Sequence, residues 1–343
     1  MTTNSSRFRV GIDIGGTFTD LILVSDDGAM HTKKVLSTPD DYGRGVVDGL
    51  ETALGELAIE PQSIERLVHA TTVATNTILE GKGAETGLIT TLGFRDVLEM
   101  RRLRIPEMYT LNYPKPEPLV PRRRRLEVVE RMGPRGEVRV DLDEDSVAAA
   151  MTRLSGEEVE AVAISLLHAY ANPSHEQRIA EMVRDTLGTK TYITCSSDIL
   201  PELREYERTS TTVINAYLGP ALRRYFESLT SHIARIGITA PLQVMKSDGA
   251  IMTVATAAEK PAYLVESGPA AGVIGAARVT GLDTAVDSIT LDMGGTTAKA
   301  SIVEDGQVTT TSDYEVGAGI NLSSKLITGG GYALKLPVVD LSE

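Results

Sequence analysis

Tryptophan is absent from these 343 residues, cysteine occurs once, histidine five times, and aromatic side chains make up only 4%. Cys195 alone cannot form an internal disulfide, and no group of His and Cys has the ligand spacing of a structural zinc. It lies in the strand-like run Thr191 to Cys195 with no histidine beside it in sequence, so it reads as a small core residue rather than a nucleophile. Positive charge is also short. Lys and Arg number 34 against 47 Asp and Glu, a net charge of -13 that argues against nucleic acid as a partner and leaves any bound nucleotide a small molecule. No apolar run is long enough for a bilayer, and Met1 to Ser6 are polar with no apolar segment behind them. The expectation is a cytoplasmic protein without a membrane partner. There is no Gly-x-Ser-x-Gly elbow.

The length and a hydrophobic content of 42% leave room for two ordinary domains, each with its own core. Phe8 to Ile14, Thr19 to Ser25 and Met30 to Leu36 alternate as strands, with Asp26-Asp27-Gly28 as the second turn, which predicts a three-stranded meander. Val46, Val47, Leu50, Leu54 and Leu57 then recur at helical spacing. Strand and helix alternate from there, which implies a mostly parallel, covered sheet. Between Met100 and Pro134 the periodicity fails, and the segment reads as a surface excursion. The long amphipathic stretch Glu202 to Ile236 is expected to break at Gly219-Pro220. Ser288 to Asp313 repeats the opening, so the fold is internally duplicated, with a first lobe over 7–200 and a second over 201–343 that stops short of the covering helices.

The repeated element is Asp13-Ile14-Gly15-Gly16-Thr17-Phe18-Thr19-Asp20, echoed by Asp292-Met293-Gly294-Gly295-Thr296-Thr297. A glycine turn between antiparallel strands aims backbone N–H groups at one point and lets an anion come close, so both copies read as phosphate-binding turns in a cleft between the two halves. They lack the Lys-Ser/Thr pair of a Walker loop. Gly15, Gly16, Thr17 and Thr19, and in the second copy Gly294, Gly295, Thr296 and Thr297, are the expected nucleotide contacts. Asp13 suits Mg²⁺ rather than phosphate, with Asp20 as a possible helper. Ser267-Gly268-Pro269 opens a helix of small residues. Gly268 there reads either as a phosphate contact at the helix N-terminus or, with Gly272 and Gly275, as part of a close-packing face. Thr71, Thr72 and Asn76, at the end of a strand, are candidates for the reacting groups, with helix capping as the plainer alternative; His69 is undecided. The charged run Glu202 to Thr212 reads as an exposed helix face or a contact across the cleft. Arg122 to Arg125 reads as a solvated loop or a site for an acidic partner.

Together with His69-Ala70-Thr71-Thr72-Val73-Ala74-Thr75-Asn76, Gly93-Phe94-Arg95-Asp96-Val97 and Arg204-Glu205-Tyr206-Glu207-Arg208-Thr209, these motifs resemble the hydantoinase A / 5-oxoprolinase family over nearly the whole chain. The resemblance implies an α/β fold of duplicated actin-like ATPase (ribonuclease H-like) lobes, the second incomplete. It also implies ATP with Mg²⁺ as cofactors, and Asp13 and Asp292 flanking the phosphates and metal. The activity it implies is ATP-dependent hydrolysis of a cyclic amide (a hydantoin, 5-oxoproline or related lactam) beside a hydantoinase B-type partner subunit. Alternatives are a ketone carboxylase subunit of acetone or acetophenone type, and a nucleotide-binding fragment without turnover. Lys299 stands where many relatives carry Asp, and it reads either as a phosphate contact or as a strand-lining residue.

Overall fold

The computed structural model describes residues 6–38, 41–102, 115–280, 287–293, 298–318 and 330–342. The chain divides into two compact units. One comprises Met1–Asn76, Ala221–Thr310 and Val338–Glu343, and the other Thr77–Pro220 and Thr311–Pro337. This division is discontinuous, unlike the linear one at 200/201, because the chain leaves the first sheet after its fourth strand and returns to it at Leu242–Met245.

In the first unit the meander Phe8–Ile14, Phe18–Ser25 and Met30–Leu36 forms as its alternation predicts. Ile64–Thr71 lies parallel beside the first strand, Leu242–Met245 parallel beside that, and Ile251–Thr253 antiparallel at the edge, completing six strands. Helix Tyr42–Leu57 crosses between the third and fourth strands, capped by the Asp41 carboxylate, which accepts from the Gly43 and Arg44 backbone N–H groups. Its Gly49 lets the helix settle on the sheet, since a Cβ there would lie 2.8 Å from Leu21. Val46, Val47 and Leu50 are buried, each worth about 1.5–3 kcal/mol on apolar transfer.

The duplication holds to the register. Val10, Ile12 and Asp13 pair with Leu23, Leu21 and Asp20; Ile289, Leu291 and Asp292 pair with Ile302, Ala300 and Lys299 in the same pattern. One face of the second ladder carries Val303, which packs with Ala270, Val273 and Ala277 of helix Ser267–Thr280. The opposite face is open. Ile289, Leu291 and Met293 are 77%, 72% and 76% exposed, whereas their counterparts Val10, Ile12 and Ile14 are 2%, 3% and 0% exposed.

The second unit is built on four parallel strands, Tyr192–Cys195, Ala161–Ser165, Thr86–Thr91 and Arg125–Val128, in that order. Helices Glu144–Ser155 and Ser174–Leu187 supply one core, while Val213 and Ala216 of the long helix supply another with Leu88 and Ala163. The fourth strand falls within the segment read as a surface excursion. Two of the four arginines at its start are structural: Arg125 is buried and donates to the Val120 carbonyl and Glu99, while Arg124 pairs with Glu157 and Glu85; Arg122 and Arg123 are exposed. The run Glu202 to Thr212 is exposed over its first four residues, as an exposed face would be, but buried from Tyr206 to Thr212. Glu207 is buried against Arg102, and Arg208 donates to the carbonyls of Glu202 and Leu166. Gly219-Pro220 does not break the helix, which runs unbroken over Glu205–Arg235. The Tyr192 ring lies where a Gly219 side chain would stand, and the Tyr217 carbonyl accepts from the Ala84 N–H at 2.9 Å, so backbone groups near the proline find partners off the helix. Cys195 is buried with its thiol pushed up by burial, a core residue as expected. No helix among the described residues is long and apolar enough to cross a membrane.

His69 is fully buried in the fourth strand of the first unit. Its Nδ1 lies 3.3 Å from the Ile12 carbonyl and its Nε2 2.6 Å from the Tyr225 hydroxyl, which fits a neutral ring with hydrogen on Nδ1. Burial pushes its pKa down to about 4. Below the ordinary value near 6.5 the unfolded chain takes up a proton that the fold does not, so this group's contribution to stability falls as pH drops from about 6.5 toward 4. Chemical denaturation of His69→Gln should therefore show a stability deficit at pH 7.5 that shrinks by on the order of 2 kcal/mol by pH 4.5. Parallel curves for the two proteins would contradict it. The open face makes a second prediction: Leu291→Glu should lower hydrophobic-dye binding and self-association while shifting stability by no more than about 0.5 kcal/mol. Unchanged dye fluorescence would count against it.

Candidate active site

Asp13, Asp292, Gly268, Pro269 and Lys299 line one cavity of about 350 Å³, large enough for a small ligand and lined wholly from the first compact unit. The duplicated aspartates, 279 positions apart in sequence, thus line the same cavity, on the ladders of the two repeats with the start of helix Ser267–Thr280 also in its wall. Gly268 permits this approach, because a Cβ there would lie 3.1 Å from Thr72 and 3.4 Å from Asp13 Oδ1. Gly272 and Gly275 do not form a close-packing face: a Cβ at either would meet nothing within 4 Å.

The first turn closes at the Ile14 and Thr19 pair, with the Gly15 N–H donating to the Phe18 carbonyl at 2.9 Å. Ser37, just past the end of the third strand, pins it, its hydroxyl donating to the Gly15 carbonyl at 2.8 Å and its N–H to the Thr17 carbonyl at 2.9 Å. Gly16 and Thr17 remain at the exposed tip. Thr19 is buried with its hydroxyl 3.1 Å from that of Ser37, so it supports the turn from within. Gly294, Gly295, Thr296 and Thr297 lie outside the described residues.

Thr71 and Thr72 are occupied by local bonding. Thr71 is buried, its hydroxyl accepts from the Val73 N–H, and its carbonyl accepts from the Ser267 hydroxyl at 2.9 Å. The Thr72 hydroxyl donates to the Ile14 carbonyl at 3.1 Å and accepts from the Asn76 amide at 3.3 Å. Neither threonine is among the cavity-lining residues. They lock the strand end, the glycine turn and the start of helix Ser267–Thr280 together, a bracing role that residue type alone does not distinguish from a catalytic one.

Burial, then the like charges of Asp20 and Asp292, push the Asp13 carboxyl up to about 6 against the pull of Lys34. Its side chain stays accessible from the open side, so solvent screens part of this repulsion. Lys34 pairs with Asp20 at 2.7 Å. Among the described residues no group of three or more His, Cys, Asp or Glu forms a metal cage. Two carboxylates on an open cavity nonetheless fit a hard cation that takes the rest of its shell from phosphate and water, the usual arrangement for Mg²⁺.

Reading the segments one at a time missed the pair Glu266 and Lys299. Glu266, just before the Ser-Gly-Pro helix start, is buried against the Lys299 ammonium, and Lys299 stands opposite Asp292. Lys299, already a candidate from the sequence, occupies the place of Asp20 in the repeat; its pairing with Glu266 is what a linear reading does not show.

The hydantoinase/oxoprolinase N-terminal region matches residues 9–187, and the hydantoinase/oxoprolinase region matches residues 208–343. The chain belongs to the hydantoinase/oxoprolinase family. It is 41% identical over 340 residues to an uncharacterised protein of Methanocaldococcus jannaschii, covering 98% of this chain and 49% of that one. It is 34% identical to the caprolactamase subunit alpha of Pseudomonas jessenii, covering 96% of this chain and 49% of that one. The crystal structure of the ATP-dependent caprolactamase from that organism superposes with a TM-score of 0.82 at 32% identity, over 97% of this chain and 47% of the other. The nucleotide-free structure of acetone carboxylase gives a TM-score of 0.85 at 26% identity, over 98% and 48%. This member of the family spans about half the length of the relatives it matches. Its fold is the duplicated α/β ATPase architecture expected.

Because folding raises the Asp13 pKa, the fold holds a proton more tightly than the unfolded chain between pH 3.8 and about 6. Stability from this group therefore falls as pH rises through that window and stays lower above it. Asp13→Asn should raise the melting temperature of the ligand-free protein at pH 8, by roughly one or two degrees after solvent screening. It should give no such gain at pH 4. Equal gains at both pH values would show that the ionised carboxylate is not destabilised by burial and its neighbours.

Proposed function

We propose that this chain is the nucleotide-binding part of a cytoplasmic, ATP-dependent cyclic-amide hydrolase that works with a hydantoinase B-type partner. The observation that carries the reading is the shared cavity of Asp13 and Asp292, walled by a helix start whose Gly268 lies close against Asp13, in a chain similar to a lactam-opening subunit. Caprolactam, 5-oxoproline and hydantoin share an amide too stable for unaided water. Attack of the amide oxygen on the γ-phosphorus of ATP breaks the bond to the β,γ-bridging oxygen and releases ADP. Water then adds at the activated carbon, the C–N bond opens to leave the free amine and an acyl phosphate, and a second water cleaves the acyl phosphate to carboxylate and phosphate. Mg²⁺, when bound, neutralises the polyphosphate and the charge moving onto the leaving oxygen.

The residues have separate tasks. Asp13 and Asp292, which line the same cavity, would hold the cation. The start of helix Ser267–Thr280 faces the phosphates with its positive dipole end, and the exposed turn at Gly16 and Thr17 offers further N–H donors. Ser37, Thr19, Thr71 and Thr72 keep these pieces in place. The likeness to acetone carboxylase favours one rival use of the same site, phosphorylation of a ketone enolate before carboxylation.

Calorimetry with MgATP, followed by product analysis with the partner subunit and each lactam, tests the reading. Asp292→Asn is expected to lower ATP turnover about 10²-fold or more, as loss of charge stabilisation at a phosphoryl-transfer site does. Carbon fixation from bicarbonate and a ketone without ring opening would favour the rival, and no nucleotide binding at all would refute both.

A further inference from the structure

At the position opposite the aspartate, the two repeats carry opposite charges. Asp13 faces Asp20 across the first ladder, and Asp292 faces Lys299 across the second. Asp20 is exposed and paired with the exposed Lys34. Lys299, in contrast, is buried, lines the cavity of Asp13 and Asp292, and donates to Glu266. Glu266 is itself buried, and its backbone is left-handed, with a φ of 65° that a side-chain-bearing residue rarely adopts. Its other oxygen, Oε1, has no hydrogen-bond partner among the described residues.

A buried ion pair with an orphaned oxygen and a left-handed backbone at one member is a poor device for stability, since desolvation offsets the attraction. It is a good device for holding an ammonium at a chosen place. We infer that Lys299 is a phosphate-binding cation of the cavity, anchored by Glu266 so that it donates to a terminal phosphate oxygen of the nucleotide. Three N–H donors let it keep Glu266 while it takes the phosphate. The geometry also accounts for the charge reversal between repeats. A third carboxylate beside Asp13 and Asp292 would repel the polyphosphate, whereas a lysine at that point favours the triphosphate over shorter nucleotides. This inference rests on the nucleotide reading of the cavity.

The test is calorimetric binding of MgATP, MgADP and AMP to the full chain, using wild type, Lys299→Arg and the double variant Glu266→Gln/Lys299→Met. The double variant removes both charges together and leaves no buried ion alone. It is expected to melt like wild type, to bind MgATP roughly tenfold to hundredfold more weakly, the worth of one charge-assisted hydrogen bond, and to hold AMP unchanged. A folded double variant with MgATP affinity within about twofold of wild type would overturn the inference while leaving the nucleotide site standing. A wild type that binds no nucleotide would overturn the site and the inference together. Should the double variant not fold, Lys299→Arg decides: displacing the charged donor should change the ATP-to-ADP affinity ratio several-fold, and an unchanged ratio would refute the contact.

Discussion

Like charge brought together at one cavity is the constraint on which the first unit depends. Asp13 and Asp292 repel each other, and the fold keeps them close by setting each in a β-ladder rather than on a free loop. Asp13 lies mid-sheet, paired with Asp20 on one side and Ala70 on the other. Val10, Ile12 and Ile14 alternate with it and are fully buried, at about 1.5–3 kcal/mol apiece. That burial exceeds the screened repulsion at an open carboxylate, so strand alternation holds the charge in place. Helix Ser267–Thr280 completes the arrangement, with Ser267 bonded to the Thr71 carbonyl and Gly268 against Asp13.

Local periodicity made the first meander, helix Tyr42–Leu57 and the repeat at Ser288 legible in the sequence, because strand and helix patterns are set by neighbours two to four residues away. The meeting of Asp13 and Asp292 was legible for a different reason, the recurrence of an unusual turn. What sequence concealed was the direction of polar side chains. Arg102 and Glu207 are 105 positions apart, and each alone resembles a surface charge; together they form a pair in which the Glu207 carboxylate is buried and Arg102 reaches it from the surface. Arg124 and Arg125 read as loop charges until Glu157, Glu85 and Glu99 are placed beside them. Thr19, Thr71 and Thr72 have the residue type of phosphate ligands, yet their hydroxyls serve the backbone and Ser37.

The two repeats also separate pairing from burial. Both meanders adopt the same register, so the ladder follows from local alternation and the glycine turn. Burial of the apolar face does not follow from it, because helix Tyr42–Leu57 covers that face in the first repeat while the corresponding face of the second stays open. A strand pattern thus announces which side chains want cover, and only distant sequence supplies the cover.

Duplication supplies symmetry, but a polyphosphate is directional, with a base at one end and the reacting phosphorus at the other. A symmetric pair of acidic turns would treat both ends alike. The divergence between the repeats is therefore informative where it touches the cavity. Position 20 keeps a carboxylate that Lys34 answers in solvent, and position 299 carries a lysine that Glu266 answers in the interior. Solvent screens the first pair and makes it nearly neutral energetically; the protein interior leaves the second strong and fixed. On the proposed nucleotide reading the fixed charge is the one suited to tell one end of the ligand from the other, and the second repeat, rather than the first, would set the polarity of the site.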